Sequence, residues 1–334
     1  MKALVTGSTG FIGGRLSQAL IARGIGVRAF HRQNSSLRLL EGLPVEHVIG
    51  DITQPETLET AMQGIEVVFH TAALMGSGAD APGLNAVTVE GTRAVLQAAL
   101  RAGVQRVVHT SSLAALGVPP RPGWGRTIPS VIDENHTWNY PPDRWLYGYA
   151  KYLAELEVQR AVAQGLDVVI VNPSTVFGAG DVYRQNRSLV VRIARRQLPV
   201  MVEGGINVVH IADVIAGHLA ALEHGQTGER YLLGGENLTF MELCRKIAVV
   251  VGAPAPALLV PAWLARSLAG ALRGLNKLTP IPLGSSSLQW AGHYFYCDTR
   301  KAQVELKLPP PLPVEDALAE AYAWFLESGT LQQP

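Results

Sequence analysis

Tyr147 and Lys151 are the residues whose types and spacing most directly suggest chemistry. The segment that they begin has the pattern of a helix ending near Gly165, and residues four apart lie on one helical face. A free tyrosine has a pKa of about 10, too high for efficient proton exchange at neutral pH, and a nearby ammonium group favours the phenolate. The pair could therefore exchange a proton with a substrate. In isolation the pattern says little, because a Tyr-x-x-x-Lys arises by chance in about one such chain in six.

The first thirteen residues, MKALVTGSTGFIG, predict the element that would hold a ligand beside this pair. Residues 3–5 form a short apolar run that reads as a buried strand, and Phe11 begins a helical pattern. Between them, glycines recur at every third position, as Gly7, Gly10 and Gly13. The first permits a tight turn, the second lets a pyrophosphate approach the backbone, and the third lets the helix pack on the strand. Because the helix N-terminus also offers N–H groups to phosphates, this stretch predicts a dinucleotide-binding unit.

The first half of the chain alternates predicted strands and helices. Further strands are predicted over residues 26–30, 45–49, 65–70, 104–110 and 167–172, and helices over 84–102, 147–164 and from a capping box of Thr53 and Glu56 to Gly64. This alternation predicts an α/β fold with a doubly wound parallel sheet, the Rossmann architecture, whose site lies at the carboxyl ends of the strands. We expect residues 1–173 to form this domain, with a returning segment near residues 207–224. Residues 174–334 should form mainly a smaller, mixed α/β substrate-binding domain, including a helix from a capping box of Thr239 and Glu242 to Gly252.

Small and hydroxylated residues follow two of the predicted strands. Thr71, Ala72 and Ala73 follow the fourth strand, where a cofactor must pass closely, and Ser111 and Ser112 follow the fifth. A loop over residues 117–145 comes next, and such a long loop in a compact domain is usually functional or disordered. Its aromatic residues, which include Trp138, Tyr140 and Trp145, argue against disorder because they need a packing surface.

The end of the second strand indicates which dinucleotide binds. NAD-specific proteins usually place an acidic residue here to hold the ribose 2′-hydroxyl. This chain instead has His31 and Arg32, with Ser35 and Ser36 close behind. A cation and two hydroxyls suit a 2′-phosphate, so we expect NADP(H), with NAD(H) as the other candidate. The alternative is that these residues form an ordinary solvated loop.

With these motifs in hand, the chain resembles the extended short-chain dehydrogenase/reductase superfamily, the NAD-dependent epimerase/dehydratase family. TGSTGFIG at residues 6–13 matches the family's TGxxGFIG, and Ser112 with Tyr147 and Lys151 matches its catalytic set. Within the superfamily the chain is most similar to the dihydroflavonol-reductase-like branch and to hopanoid-associated sugar epimerase relatives. That similarity rests on VVHTSS (107–112), VNPSTVFG (171–178) and HIADV (210–214).

The resemblance implies a role for each matching residue. Tyr147 would be the proton donor, Ser112 would hold the substrate oxygen, and Lys151 would contact both the tyrosine and the nicotinamide ribose. The implied cofactor-binding residues are Gly7, Thr9, Gly10, Phe11, Ile12, His31, Arg32, Asp51, Ile52, Thr71, Ala72, Ala73, Tyr147, Lys151, Pro173, Thr175 and Val176. One position departs from the family: Thr88 stands where an asparagine usually steadies the backbone near the catalytic lysine. This leaves the details of the proton relay open.

Three functions are compatible with this pattern. The first is an NADP(H)-dependent oxidoreductase that reduces the ketone of a hydrophobic, aromatic or polycyclic molecule. The second is an epimerase or dehydratase of nucleotide sugars that retains NAD, and the third is a non-catalytic dinucleotide-binding regulator. Sugar-nucleotide epimerases of the superfamily carry an arginine where this chain has Ile206, and a buried diphosphate without a cation is costly. The aromatic loop and the Leu264, Leu268 and Leu272 face would instead give apolar walls, which favours the first function.

The composition and the residue spacings limit the kinds of partner that we expect this chain to bind. Lys plus Arg number 28 against 27 for Asp plus Glu, so no overall charge points to nucleic acid. The nine histidines have no metal-ligand spacing, Cys244 and Cys297 read as free thiols, and no signal peptide is evident, so we expect a cytoplasmic protein without a metal. The nearest approach to a membrane span, residues 257–275, carries Arg266 and Arg273. Its leucine face is expected to pack as a lid, with peripheral membrane contact as the alternative; the chain could be a monomer or a homodimer.

Overall fold

The computed structural model describes residues 1–74, 81–121, 129–182, 188–267 and 290–332. Its largest element is a seven-stranded parallel sheet with the strand order β11-β7-β5-β4-β1-β2-β3. These strands are β1 (Lys2–Thr6), β2 (Gly26–His31), β3 (Glu46–Ile49), β4 (Val67–His70), β5 (Arg106–Thr110), β7 (Val168–Pro173) and β11 (Arg230–Leu233). The predicted doubly wound sheet is therefore confirmed, with one further strand, β11, that the sequence patterns did not indicate.

Helices cover both faces of this sheet. The helices α1 (Phe11–Ala22) and α7 (Ile211–His224) pack on one face, and α2 (Pro55–Met62), α4 (Gly91–Ala102) and α5 (Leu146–Ala163) on the other. Apart from the mostly exposed edge strand β3, the strands between these layers are almost fully buried, because apolar side chains cover both faces of a parallel sheet. In this layer α7 packs against α1.

Two local predictions need correction. Thr53 and Glu56 form no capping box: α2 begins at Pro55, and the Thr53 hydroxyl donates instead to Asp51 Oδ1 at 2.8 Å. A carboxylate two residues away is the stronger acceptor for this hydroxyl. The helix predicted over residues 84–102 consists of α3 (Ala81–Leu84), a π-helical stretch (Asn85–Glu90) and α4. By contrast, Thr239 and Glu242 do form a capping box, and the helix that they open ends at Gly252 in the left-handed conformation.

The rest of the chain forms a smaller mixed unit. A five-stranded sheet contains β6 (Val131–Ile132), β8 (Thr175–Phe177), β10 (Gly205–His210), β12 (Glu236–Thr239) and β14 (Tyr294–Cys297), and a two-stranded sheet pairs β9 (Val200–Val202) with β13 (Leu258–Val260). The helices of this part are α6 (Leu189–Ala194), α8 (Phe240–Val251), α9 (Arg300–Glu305) and α10 (Val314–Glu327). Leu268, Leu272 and Arg273 lie outside the described residues.

Two structural features are absent from the described residues. No helix there has both the length and the apolar character needed to cross a bilayer. Within the same ranges, no three or more His, Cys, Asp or Glu side chains are grouped so that they could hold a metal ion.

Candidate active site

One cavity of about 700 Å³ lies at the carboxyl ends of the seven-stranded sheet. Every residue predicted from the sequence for cofactor binding or catalysis lines it, except Lys151, which is buried beneath. The predicted residues that line the cavity are Gly7, Thr9, Gly10, Phe11, Ile12, His31, Arg32, Asp51, Ile52, Thr71, Ala72, Ala73, Ser112, Tyr147, Pro173, Thr175 and Val176. Their convergence follows from the topology, because the ends of parallel strands meet at one edge.

The glycine turn leaves room for a ligand at the start of α1. Gly7 has a φ of 68°, and a Cβ there would lie 2.7 Å from the backbone nitrogen of Ala72. Gly10 is the N-cap of α1 and makes no side-chain capping bond. Within the described residues, the Gly7 carbonyl oxygen, at 3.2 Å, is the one atom within 4 Å of a Cβ built at Gly10. The backbone here is therefore open to an anionic group, which a helix N-terminus favours.

The end of β2 carries a cation without a partner. Arg32 is exposed and lines the cavity, and its guanidinium makes no hydrogen bond or ion pair within the described part of the chain. His31 is buried, and its Nε2 lies 3.1 Å from Nδ1 of His47. The nearest carboxylate along this wall, Asp51, accepts hydrogen bonds from the backbone and hydroxyl of Thr53.

The residues of the predicted catalytic set surround the end of β5. Ser112 follows that strand, and its hydroxyl oxygen accepts a hydrogen bond from the Ala114 N–H at 3.2 Å. This hydrogen bond holds the Ser112 hydroxyl oxygen in place, and the Ser112 O–H remains able to donate to a ligand. Tyr147 lies half-buried in the first turn of α5 and lines the cavity.

Lys151 lies one turn further along α5 and is buried. Its Nζ donates to the Thr110 carbonyl oxygen at 2.9 Å. Burial lowers the pKa of Lys151 to about 8, and the nearby Glu155 carboxylate opposes that shift. Two neighbouring histidines, His70 and His109, add no charge. Burial and the Lys151 cation lower the pKa of His70 to about 3. Burial, together with charges that include Lys151, holds the pKa of His109 well below its usual value.

Glu155, which the sequence patterns did not single out, joins the strand ends under the site. Its Oε1 accepts hydrogen bonds from Ser111 Oγ at 2.5 Å and Asn172 Nδ2 at 2.6 Å. Arg230 Nη1 donates to Oε2 at 3.1 Å. One buried carboxylate thus links the residue after β5, the end of β7 and the first residue of β11. Its position four residues after Lys151, on the same helical face, was the available signal.

Thr88, the departure from the family pattern, is also buried, in the π-helical stretch. Its hydroxyl oxygen accepts the Leu74 N–H at 3.4 Å, and its carbonyl oxygen accepts the Thr92 hydroxyl at 2.6 Å. These contacts hold the loop after β4 against α4.

The other end of the cavity is aromatic. Trp145 packs against Trp290 with ring centroids 4.6 Å apart, and Phe295 lies 5.6 Å from Trp145 and 5.3 Å from Trp290. Leu74, Val87, Leu113, Ile206 and Phe240 complete this wall. Two of the aromatic residues expected here, Trp138 and Tyr140, do not line the cavity but pack behind Trp145 and Trp290. Leu264, which was expected to form an apolar wall, is exposed and does not line the cavity.

The residues of the cavity fit a nicotinamide dinucleotide. The open space beside Gly10 suits a pyrophosphate, and the cavity along the strand ends is long enough for the two nucleotides that a pyrophosphate joins. The Ser174 hydroxyl is buried and lacks a hydrogen-bond partner among the described residues, although it lines the cavity between Pro173 and Thr175. An unpaired buried hydroxyl is costly, so a polar group of a ligand is expected beside it.

Comparisons with known proteins agree with this geometry. The chain is 36% identical, over 97% of its length and 94% of the relative's, to a putative dihydroflavonol 4-reductase of Synechocystis sp.. It is 35% identical to sterol demethylase protein B of Methylococcus capsulatus, over 99% and 100% of the two chains. The crystal structure of gox2253 is similar over 99% of each chain, with a TM-score of 0.86 and 33% identity. Residues 3–234 match the NAD dependent epimerase/dehydratase family, so the dinucleotide cavity is that of an NAD(P)-dependent oxidoreductase, and the chain belongs to this family.

Proposed function

We propose that this protein is an NADP(H)-dependent reductase of ketones in hydrophobic, aromatic or polycyclic molecules. The observation that carries the proposal is the aromatic end of the cavity, where Trp145, Trp290 and Phe295 stand beside Tyr147 and Ser112. Arg32, at the opposite end, is the one Lys or Arg among the lining residues that the structure describes. A ketone held by apolar contacts suits such a wall, and a sugar diphosphate does not.

The names of two relatives support this substrate class, one referring to a dihydroflavonol reductase and the other to a sterol demethylase protein. Ile206 adds to it, because it lines the cavity at the position where sugar-nucleotide epimerases carry an arginine. Arg32 supports the choice of NADP(H), since an unpaired cation at the end of β2 suits a 2′-phosphate.

The mechanism assigns a task to each residue near the reacting carbonyl. When bound, a reduced nicotinamide supplies the hydride for the carbonyl carbon. Tyr147 donates its proton to the carbonyl oxygen and later regains a proton from water. Ser112 donates a second hydrogen bond to the same oxygen as negative charge builds there. Lys151 remains mostly protonated at neutral pH with a pKa of about 8, so its charge favours the tyrosinate left behind.

A paired measurement tests the proposal. NADPH oxidation should be seen with lipophilic ketones, and more weakly with NADH in its place. Trp290→Ala should raise the KM for a polycyclic ketone more than the KM for NADPH, because it removes one wall of the cavity only. Calorimetry with a UDP-hexose in the presence of NADP⁺ should show no binding. Micromolar binding of the UDP-hexose would instead assign the cavity to an epimerase or dehydratase.

A further inference from the structure

We propose that this protein docks on anionic lipid bilayers through a face formed by Leu258, Leu259, Trp263 and Leu264, here called the docking face. This inference goes beyond the proposed function and does not require it. It rests on the exposure of four large apolar side chains, on the cations beside them, and on their position behind the cavity wall.

The docking face concentrates apolar exposure. Leu258, Leu259, Trp263 and Leu264 are 63%, 50%, 64% and 45% exposed. Thirteen large hydrophobic side chains are exposed in the described parts of the chain, and four of them fall within these seven consecutive residues. Scattered exposed leucines are normal on a protein surface, but a contiguous apolar patch marks an interaction site.

The helical residues 262–267 show which side is turned outward. Ala262 and Ala265 are buried against Ala291, whereas Trp263 and Leu264 face solvent. A surface helix of a globular domain normally has the reverse pattern, with polar side chains outside. Tryptophan and leucine on an outward face are typical of helices that lie at a membrane interface.

Cations border the docking face. Arg266 is on the same helical segment, and Arg121 Nε donates to His293 Nε2 at 2.8 Å. Burial and the Arg121 cation lower the pKa of His293 to about 4, so its ring is neutral and its Nδ1–H donates to the Pro119 carbonyl oxygen. Neither guanidinium has a carboxylate partner within the described ranges, and burial, followed by the Arg266 cation, lowers the pKa of Arg121.

The sequence around these cations contains no compensating acid. Residues 257–293 include no Asp or Glu but three cations, and residues 113–132 include Arg121 and Arg126 and again no acid. One carboxylate, Glu203, lies at the start of the helical segment, where it accepts the Ala262 N–H, and it also interacts with Tyr294. An apolar face bordered by unpaired cations complements an anionic lipid surface. A symmetric pair of these faces would instead bring like charges together, which disfavours a second copy of the chain as occupant.

The docking face also lies directly behind the aromatic end of the cavity. Trp290 lines the cavity, and the next residue, Ala291, packs on Ala262 and Ala265. Arg266 Nη1 contacts the Ala291 carbonyl oxygen at 3.4 Å. If the proposed function holds, the docking face would place the aromatic end of the cavity close to a bilayer that holds dissolved apolar ketones.

Vesicle flotation of the full chain, without cofactor or ketone, tests the proposal. The protein should float with vesicles of phosphatidylcholine and phosphatidylglycerol, less with phosphatidylcholine alone, and less as salt is raised. Trp263→Ser with Leu264→Ser should lower the partition coefficient at least about tenfold, because the two side chains lose their apolar burial. Arg121→Ala and Arg266→Ala should each lower it about fivefold. The matched controls are Val304→Ser and Arg101→Ala, two exposed residues away from the docking face.

Several outcomes would overturn the inference. Absence of flotation with anionic vesicles would do so, as would equal flotation of the Val304→Ser control and the Trp263→Ser, Leu264→Ser protein. A dimer in solution that the same substitutions dissolve would reassign the face to contact between copies. Because no ketone or cofactor enters the assay, its failure leaves the proposed reductase activity untouched.

Discussion

The end of the cavity proposed for the cofactor and the end proposed for the substrate are lined by different kinds of groups. The cofactor end consists mostly of backbone atoms and small side chains at the ends of β1, β4 and β7. The turn that follows β1 contributes glycines three residues apart. The substrate end is made of large rings from elements far apart in the chain, such as Trp145 before α5 and Phe295 in β14. Backbone geometry serves a ligand with an invariant pyrophosphate, and side chains serve a ligand whose shape must be selected.

The two ends of the cavity meet above a cluster of hydrogen-bonded residues around Glu155. Glu155 lies under the junction and accepts hydrogen bonds from the residue after β5, the end of β7 and the first residue of β11. Tyr147 and Ser112 stand above it and face the cavity. Substitutions at the junction should therefore affect the fold, and those above it should affect the reaction.

The largest expected effect is at Glu155. Glu155→Ala removes the carboxylate partner of the Arg230 guanidinium, which keeps only two backbone carbonyl oxygens, and one of the two acceptors of the Asn172 amide. Removing one partner of a buried ion pair costs about 3–5 kcal/mol. Urea unfolding should show that loss, whereas Glu157→Ala, which breaks a pair with the more exposed Arg93, should cost less. Equal losses for the two variants would contradict a special role for the Glu155 cluster.

Substitution of the tyrosine should separate chemistry from binding. Tyr147→Phe removes the proton donor and keeps the ring, so turnover should fall at least about a hundredfold with nearly unchanged cofactor affinity. Tyr149→Phe is the matched control, because Tyr149 lies two residues away and packs on Trp138. Stopped-flow reduction and cofactor titration measure both quantities. A Tyr147→Phe protein with most of its activity would show that another group donates the proton.

The buried lysine should reveal itself in the pH dependence of stability. Lys151 has a pKa of about 8 in the folded chain against 10.5 for a free lysine. Below pH 8 the folded chain therefore bears the full cost of burying the charge, and this cost vanishes as the pH rises to 10.5. Lys151→Met should be more stable than the parent at pH 7, and the gap should narrow by about 2 kcal/mol by about pH 9.5. A gap that is constant across this range of pH, measured by urea unfolding, would mean that the lysine is not strained by burial.

The smallest expected effect is on the choice of cofactor. Arg32→Ala removes the unpaired cation at the end of β2, and a charge-assisted contact of an exposed side chain corresponds to about tenfold in affinity. The affinity for NADPH should fall by that factor, with little change for NADH. Arg38→Ala, which removes a nearby cation that packs on Trp324 instead, is the control. An undiminished preference for NADPH would remove Arg32 from the explanation.

The sequence by itself determined the cofactor end and the tyrosine–lysine pair. Strand, glycine turn and helix over residues 2–22 depend on local spacing, because each glycine acts within a few residues of its own position. Tyr147 and Lys151 are likewise brought to one side by a single helix. Local reasoning failed where a tertiary or neighbouring group competes for the same atom, as at Thr53, whose hydroxyl donates to Asp51 rather than capping α2.

Only the tertiary structure decided what stands opposite the cofactor and what lies under it. Trp290 and Phe295 reach the cavity because β14 pairs with β10, and no periodicity in residues 290–297 indicates that partner. Arg230 meets Glu155 because β11 adds to the edge of the large sheet, 75 residues further along the chain. Such contacts depend on which strands pair across the sheet, and sequence spacing contains little information about pairing between distant segments.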